Sequence, residues 1–458
     1  MNESLNQINK PFKYGVVYYL IIFCYFLLVV LFWYHFLEKK QLHNYDVPSQ
    51  NSVIIPIQQD EVRIDSSSNS FIVENKLNIA ILNKSKTVES FIKSFKAKYA
   101  NLHTQIIYFD TVIKRIQVEV DAEAKSTLKN TLKSNLPEFE LLVWDETIFE
   151  SKKTFSDPAS NSGEKSWYLD VIEAHKAWDI TTGNKKLILA VIDNGFDVNH
   201  EEIKDKIVKP YNVIDRTSNV APQGAMNHGT HVSATACASS NGKGIVGISP
   251  KCKLMPIKVE DENGMISSTY IVDGILYAIK NGANVINLSL GKMFGNLPLS
   301  EEQQKELIKN QGNDEFQFWD ELFEYANKKN VTCVIAAGNE ANLIGLDPFQ
   351  RAKSTIKVSA IDENYERAEF SNFGSFSTIS APGTHIYSAK PNGEYEYLDG
   401  TSMASPIVAG AVILMKSIKP KLTNQEIIKL LRSTGKSKSP RIGPVLQLYS
   451  LLTTLKSN

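Results

Sequence analysis

Four cysteines in 458 residues, Cys24, Cys237, Cys252 and Cys333, are too few and too scattered for a disulfide framework. None has CxxC spacing and each sits in an apolar run, so a cysteine zinc site is excluded and buried thiols are expected. An excess of either charge is also missing. Fifty basic and fifty acidic residues give a formal net charge of zero, and nucleic acid is not the expected partner. No short internal repeat and no HExxH metal motif occur. What is present is 43% hydrophobic content in a chain long enough for two or three folding units, which excludes disorder throughout.

The N-terminus has little charge of any kind. Tyr14 to Leu37, "YGVVYYLIIFCYFLLVVLFWYHFL", carries none apart from His35. As a helix it would be about 36 Å long against a hydrocarbon core of about 30 Å. A cleaved signal has a shorter apolar region, about 7–15 residues, followed by a small-x-small site. "HFLEKKQLHNYDV" stands here instead, so residues 1–13 read as a short tail and 14–37 as an uncleaved transmembrane signal anchor. Lys10 and Lys13 are matched by Lys39 and Lys40 across it, and the charge rule leaves orientation open.

Residues 38–76 are polar, contain "DSSSNS" and lack a sustained period, which reads as a spacer. From Leu77 the pattern is regular: "LNIAIL", "KTVESFIKSFKAKYA", "TQIIYF", "VIKRIQVEV", "DAEAKSTLKNTLKSN" and "FELLVW" alternate strand and helix signals in the order β-α-β-β-α-β. That is a ferredoxin-like α+β unit over residues 77–150. "SKKTFSDPASNSGEKS" at 151–166 mixes Lys, Ser, Asn, Gly and Pro and reads as a cleavable linker. Residues 167–458 then alternate apolar strands ("KLILAVID", "CKLMPIKV", "ANVINLSL", "VTCVIAAG", "TIKVSAI") with helical stretches. The fold class is α/β, a parallel sheet covered by helices on both faces, preceded by the α+β unit and one transmembrane helix.

Functional groups of such sheets collect at the carboxyl ends of the strands. "LILAVIDNGFD" ends a strand on Asp193, "NHGTHVSATACA" opens a helix on His228, and "DGTSMASP" places Ser402 at the start of another. Singly, each residue has a structural explanation as a cap or turn residue. Together, a carboxylate, an imidazole and a hydroxyl are what nucleophilic acyl transfer requires.

"VIDNGFD", "HGTHV", "NLSLG", "AAGNE" and "GTSMASPIVAG" resemble, in order, the motif set of the subtilisin-like serine proteases, the subtilases, over about Trp167 to Leu452. The resemblance implies a subtilisin-like catalytic domain and a serine endopeptidase acting on peptide or protein substrates. It implies Ser402 as nucleophile, His228 as general base and acid, Asp193 as the residue orienting the His, and Asn339 as the oxyanion-hole amide. It also implies Ser289, Leu290 and Gly291 as the segment pairing with extended substrate. His231 is implied to be structural, and Thr401 and Ser405 are expected to be structural as well. Pro406 falls in the first turns of its helix, where a missing N–H costs little.

No cofactor is required for this chemistry. Glu202 and Asn241, beside the loop "SSNGKGIVG", match calcium-ligand positions of the family, with an ordinary glycine-rich turn as the alternative reading. Three departures stand out: Ser233 and Ala234 replace Ala-Gly after the His motif, Ala341 stands where Gly is common, and the charged segment between Gly291 and Val331 is longer than usual. That segment reads either as a border of the cleft or as a solvated extra helix. The unit at 77–150 resembles the subtilase propeptide, an intramolecular inhibitor and chaperone, which puts self-cleavage within 151–166. The expected protein is a single-pass membrane zymogen with an extracytoplasmic catalytic domain, released after maturation or held by its cut prodomain. The alternative is a catalytically silent peptide-binding protein of the same fold.

Overall fold

The computed structural model describes residues 56–65, 70–151, 165–222, 228–292, 294 and 299–457. The apolar segment at 14–37 and linker residues 152–164 lie outside the described residues.

The N-terminal unit consists of β1 (Ser70–Ile81), α1 (Val88–Lys98), β2 (Thr104–Asp110), β3 (Arg115–Val120), α2 (Ala122–Asn135) and β4 (Leu141–Ser151). The strands form an antiparallel sheet in the order β4-β1-β3-β2, the split arrangement that the β-α-β-β-α-β pattern implies. Leu77, Ile79, Val118 and Val143 on the sheet pack against Phe91, Phe95, Leu128 and Leu132 of the helices. β1 starts seven residues before the expected position, and Val62–Asp65 pairs with its first residues. This part of the supposed spacer is therefore structured. Its polar residues hid the strand: Glu74, Asn75 and Lys76 interrupt the apolar pattern, although Lys76 is buried.

The larger unit is built on β5 (Ile188–Asp193), β6 (Tyr211–Asn212), β7 (Lys253–Lys258), β8 (Val285–Leu288), β10 (Thr332–Ala336), β11 (Ile356–Ile361) and β12 (Ile379–Pro382). They are parallel, in the order β12-β11-β10-β8-β5-β7-β6; the short β9 (Leu290–Lys292) leaves the sheet. Successive side chains alternate faces. Leu189 and Val191 join the core under α3 (His228–Cys237) and α7 (Thr401–Ile418). Ala190 and Ile192 join the opposite core under α4 (Ser268–Lys280) and α6 (Asn313–Lys328). Both faces are covered, which accounts for the nearly continuous apolar strands. Among the described residues only α7 is long and apolar enough to cross a membrane, and it is 89% buried as a core helix. The charged segment after β9 forms a mostly exposed α5 (Glu301–Asn310) and α6, whose Trp319 and Phe323 are buried.

The two units share β4. Its end pairs antiparallel with Ile266–Ser267 and with β9, in the register Phe149↔Lys292, Glu150↔Gly291 and Ser151↔Leu290. Behind it Trp144 stacks on Phe318 at 4.5 Å and Phe149 meets Trp319 and Phe349 edge to face. Glu146, almost fully buried, accepts hydrogen bonds from Thr269 N, Thr269 Oγ1 and Ser268 Oγ at the start of α4 and from Asn78, Gln117 and Arg115 of its own unit. Free helix amides and the positive end of the dipole favour a carboxylate there, and the set of donors offsets its desolvation.

One turn along α4, Asp273 accepts from the Tyr108 hydroxyl at 2.6 Å. Burial pushes the Asp273 carboxyl up to about 6, against the lowering effects of that hydroxyl and Arg115, while Asp110 adds to the rise. A carboxyl raised on burial contributes stability that is fully present below its ordinary pKa near 4 and is lost as pH rises through about 6. Asp273→Asn, permanently neutral, should therefore gain thermal stability over the parent as pH goes from about 4 to about 7, reaching roughly 1–3 kcal/mol. Melting curves of both chains across that window check this, and a pH-independent difference would refute it.

Candidate active site

β8 pairs with β5 so that Leu288 stands opposite Ile192, which puts Ser289 beside Asp193 at adjoining strand ends. This is also where the sheet changes direction, since β7 and β6 lie to one side of β5 and β8 onward to the other.

Asp193 is fully buried. Its carboxylate meets His228 Nδ1 at 2.8 and 2.9 Å and accepts from Asn194 N at 2.8 Å. Contact with both carboxylate oxygens assigns the proton to Nδ1 and leaves Nε2 as a base. The approach needs Gly229: a β-carbon there would fall 2.5 Å from Gly195 O and 3.0 Å from Asp193 Cβ. His228 Nε2 is buried without a hydrogen-bond partner.

Ser402 lies in the first turn of α7, and its hydroxyl donates to the Ser289 carbonyl at 3.3 Å rather than to His228. Pro406 has a larger consequence than its place near the helix start suggests. It lies well inside α7 and cannot donate to the Ser402 carbonyl four residues back. Ser289 Oγ donates to that carbonyl instead, at 3.0 Å. Asn287 Nδ2 donates to Ser289 Oγ at 3.0 Å and Ser405 Oγ to Asn287 Oδ1 at 2.8 Å, so a buried chain of hydrogen bonds fixes the first turns of α7 on β8.

Asn339 follows β10. Its Oδ1 accepts from Thr401 N at 2.9 Å and Thr401 Oγ1 at 2.8 Å, while Gly338 N donates to the same hydroxyl. Thr401 and Ser405 thus have framework partners. Asn339 Nδ2 and Ser402 N both lie beside Gly400, 3.2 and 3.6 Å from where a β-carbon on that residue would sit. N–H donors gathered at a helix start can hold a negatively charged oxygen.

Leu290 and Gly291, with Lys292, are paired with β4 of the same chain. His231 is buried with Nε2 on Ile386 O at 3.0 Å, and burial lowers it to about 3, so it is neutral. Ala341 holds a φ of 53°, the left-handed conformation glycine adopts freely, and Ala234 is accommodated inside the fully buried α3. Glu202 Oε1 accepts from Ile245 N and the Tyr395 hydroxyl, whereas its Oε2 is buried without a partner. Asn241 is exposed, its Oδ1 accepting from Lys243 N. No three-residue group of His, Cys, Asp or Glu suited to a metal occurs among the described residues.

Sequence reading missed Glu260. It lies two residues past Lys258, which is registered with Asp193, and Val259 N donates to Asp193 O at 3.0 Å. Burial pushes its carboxyl up to about 7; Lys258 and His228 draw it down, and Asp193 and Asp261 push it further up. No motif marks it. The available signal was a carboxylate just past the end of the strand flanking the one that ends in Asp193.

A parallel sheet with a buried Asp–His pair at its switch point and a serine opening the central helix defines a subtilisin-like α/β protein. The comparisons with known proteins agree. The Peptidase S8 subtilase-family profile matches residues 184–445, and the chain belongs to that family. It is 36% identical over 247 residues to thermitase of Thermoactinomyces vulgaris, covering 54% of this chain and 80% of thermitase. It is also 36% identical over 256 residues to a thermophilic serine proteinase of Bacillus sp. (strain AK1), covering 56% of this chain but only 57% of that relative. Fervidolysin from Fervidobacterium pennivorans, a keratinolytic enzyme related to subtilisin, superimposes with a TM-score of 0.66 at 23% identity, over 89% of this chain and 64% of its own. At that identity the likeness concerns the fold.

Removing the Asn287 side chain leaves Ser405 Oγ without its acceptor and Ser289 Oγ without its donor inside the core. Asn287→Ala should cost about 1–3 kcal/mol in denaturant unfolding, and a change below about 0.5 kcal/mol would show that the chain of bonds does not hold the helix.

Proposed function

We propose that the protein is a serine endopeptidase made as a membrane-anchored zymogen. The carrying observation is the buried Asp193–His228 pair beside a serine that opens α7. When substrate enters, the Ser402 hydroxyl turns from the Ser289 carbonyl to His228 Nε2, which accepts its proton as Oγ attacks the scissile carbonyl carbon. Asp193 stabilises the imidazolium. The developing oxyanion is held by Asn339 Nδ2 and Ser402 N. His228 then gives its proton to the leaving amine, and water, activated by the same imidazole, hydrolyses the acyl-enzyme. Ser289 to Gly291 supply backbone pairing for extended peptides of varied side chains.

Residues 77–150 act as prodomain. Pairing of β4 with β9 supports this reading, because it fills the edge a substrate strand would use. The register ends with Ser151 opposite Leu290, next to Ser289, whose carbonyl accepts from the Ser402 hydroxyl, and this supports a maturation cut near the start of the 151–166 linker. The apolar segment at 14–37 anchors the precursor with its catalytic unit extracytoplasmic, and the cut separates that unit covalently from the anchor.

Processed protein should react with a fluorophosphonate probe. Ser402→Ala should abolish labelling and leave the linker uncut, whereas Ser405→Ala should still be labelled. Asn339→Ala should lower peptide turnover by about 10²–10³. A chain unlabelled in the parent is the peptide-binding alternative, and a linker cut in purified Ser402→Ala would place maturation in another protease.

Calcium is proposed as a structural ion only. Glu202, through its unpartnered buried Oε2, and Asn241 would hold it with loop carbonyl oxygens. A chelator should then lower the melting midpoint of the parent but not of Glu202→Gln; an unmoved parental midpoint removes the ion.

A further inference from the structure

Ile57 lies outside the β-α-β-β-α-β unit, in a stretch that reads as spacer, yet it is 2% exposed and packed into the core shared with α4. Both of its backbone polar groups are held by side chains of the larger unit. Ile57 N donates to Asp261 Oδ2 at 3.0 Å, and Asn263 Nδ2 donates to Ile57 O at 3.2 Å.

The receiving loop is organised without Ile57. Asp261 Oδ1 accepts from Asn263 N and Met265 N, both at 2.9 Å. Asp261 N donates to Met265 O and Gly264 N to Asp261 O, closing the turn. Asp261 itself is fully buried, and the Tyr270 hydroxyl reaches its Oδ2 at 3.4 Å. A buried carboxylate with one oxygen fixed by its own loop, the other facing a backbone N–H, and an amide placed for the matching carbonyl is a built recognition site for one extended residue.

We propose that the Asp261–Asn263 loop is a peptide clamp separate from the Ser402 cleft, specific for an extended segment bearing a buried aliphatic side chain, and that residues 56–58 are its occupant. The turn runs on into Ile266–Ser267, which β4 borders, but Ile57 is held by Asp261 and Asn263 and not by the residues that pair with β4. Ile57 is joined rigidly to the N-terminal unit: Asn75 donates to Glu61 at 3.1 Å, and Val62–Asp65 continues into the pairing with β1. The N-terminal unit is therefore held at two places, and release of one leaves the other at high effective concentration. Resting on the zymogen reading, this predicts that cutting the linker does not free the catalytic unit. The N-terminal fragment keeps it wherever residues 14–37 are held.

The test uses full-length Ser402→Ala protein nicked in the linker, which carries Lys152, Lys153 and Lys165, by brief treatment with a lysine-specific protease. Dissociation of the two fragments is followed by size exclusion after dilution. The fragments should stay together, and Ile57→Ala should speed their separation at least about tenfold, as loss of a buried aliphatic side chain implies. Asn263→Ala, at a solvent-exposed residue, should speed it a few-fold, while Gln59→Ala should not. Parental rates for both Ile57→Ala and Asn263→Ala would overturn the clamp. Peptidase activity of the nicked Ser402 parent is read separately. Full activity with the fragments still associated would sink the inhibitor reading and leave the clamp standing.

Discussion

The parallel pairing of Val285–Leu288 with Ile188–Asp193 is the constraint on which the site depends. It sets Ser289 beside Asp193, and each then recruits one partner, His228 to the carboxylate and the first turns of α7 to Ser289. A one-residue slip would turn every side chain of the strand to the opposite face and separate the two groups. Burial of both faces makes such a slip costly, since Leu189 and Val191 would exchange cores with Ala190 and Ile192. The geometry of the candidate site and the hydrophobic packing are thus set by the same register.

A second economy appears in β4, which finishes one sheet and borders the active-site strand of the other. Its burial concentrates carboxylates at the interface: Glu146 against the start of α4, Asp273 against Tyr108, and Asp314 of α6 accepting from Val143 N at 3.0 Å. Each is satisfied across the boundary between units. Each of these groups gains part of its hydrogen bonding from the other unit, so the arrangement is strong when complete and costly when partly broken.

Asp193, His228, Ser402 and Asn339 were legible in the sequence because each lies in a short Gly-rich motif whose local geometry is encoded by its neighbours. The strand pattern was legible for the same reason. What escaped was long-range: Glu260 gains its meaning only from the strand pairing that puts Lys258 against Asp193. Ile57 finds Asp261 across 204 positions and Glu146 finds Thr269 across 123. The early start of β1 escaped because Glu74, Asn75 and Lys76, polar by type, end the apolar run before Leu77. Pro406 read locally as harmless; only the position of Ser289 shows what replaces the missing N–H.

The sequence by itself determined the alternation of elements, the subtilase motifs and the residues able to do the chemistry, since periodicity and turn chemistry are local properties. Tertiary structure alone decided which partner the Ser402 hydroxyl keeps at rest, that the chain's own strand lies on Leu290 to Lys292, and that a supposed spacer residue is buried. Those outcomes depend on which buried polar groups meet across distant segments, and burial makes a hydrogen bond matter without leaving a periodic trace in the sequence.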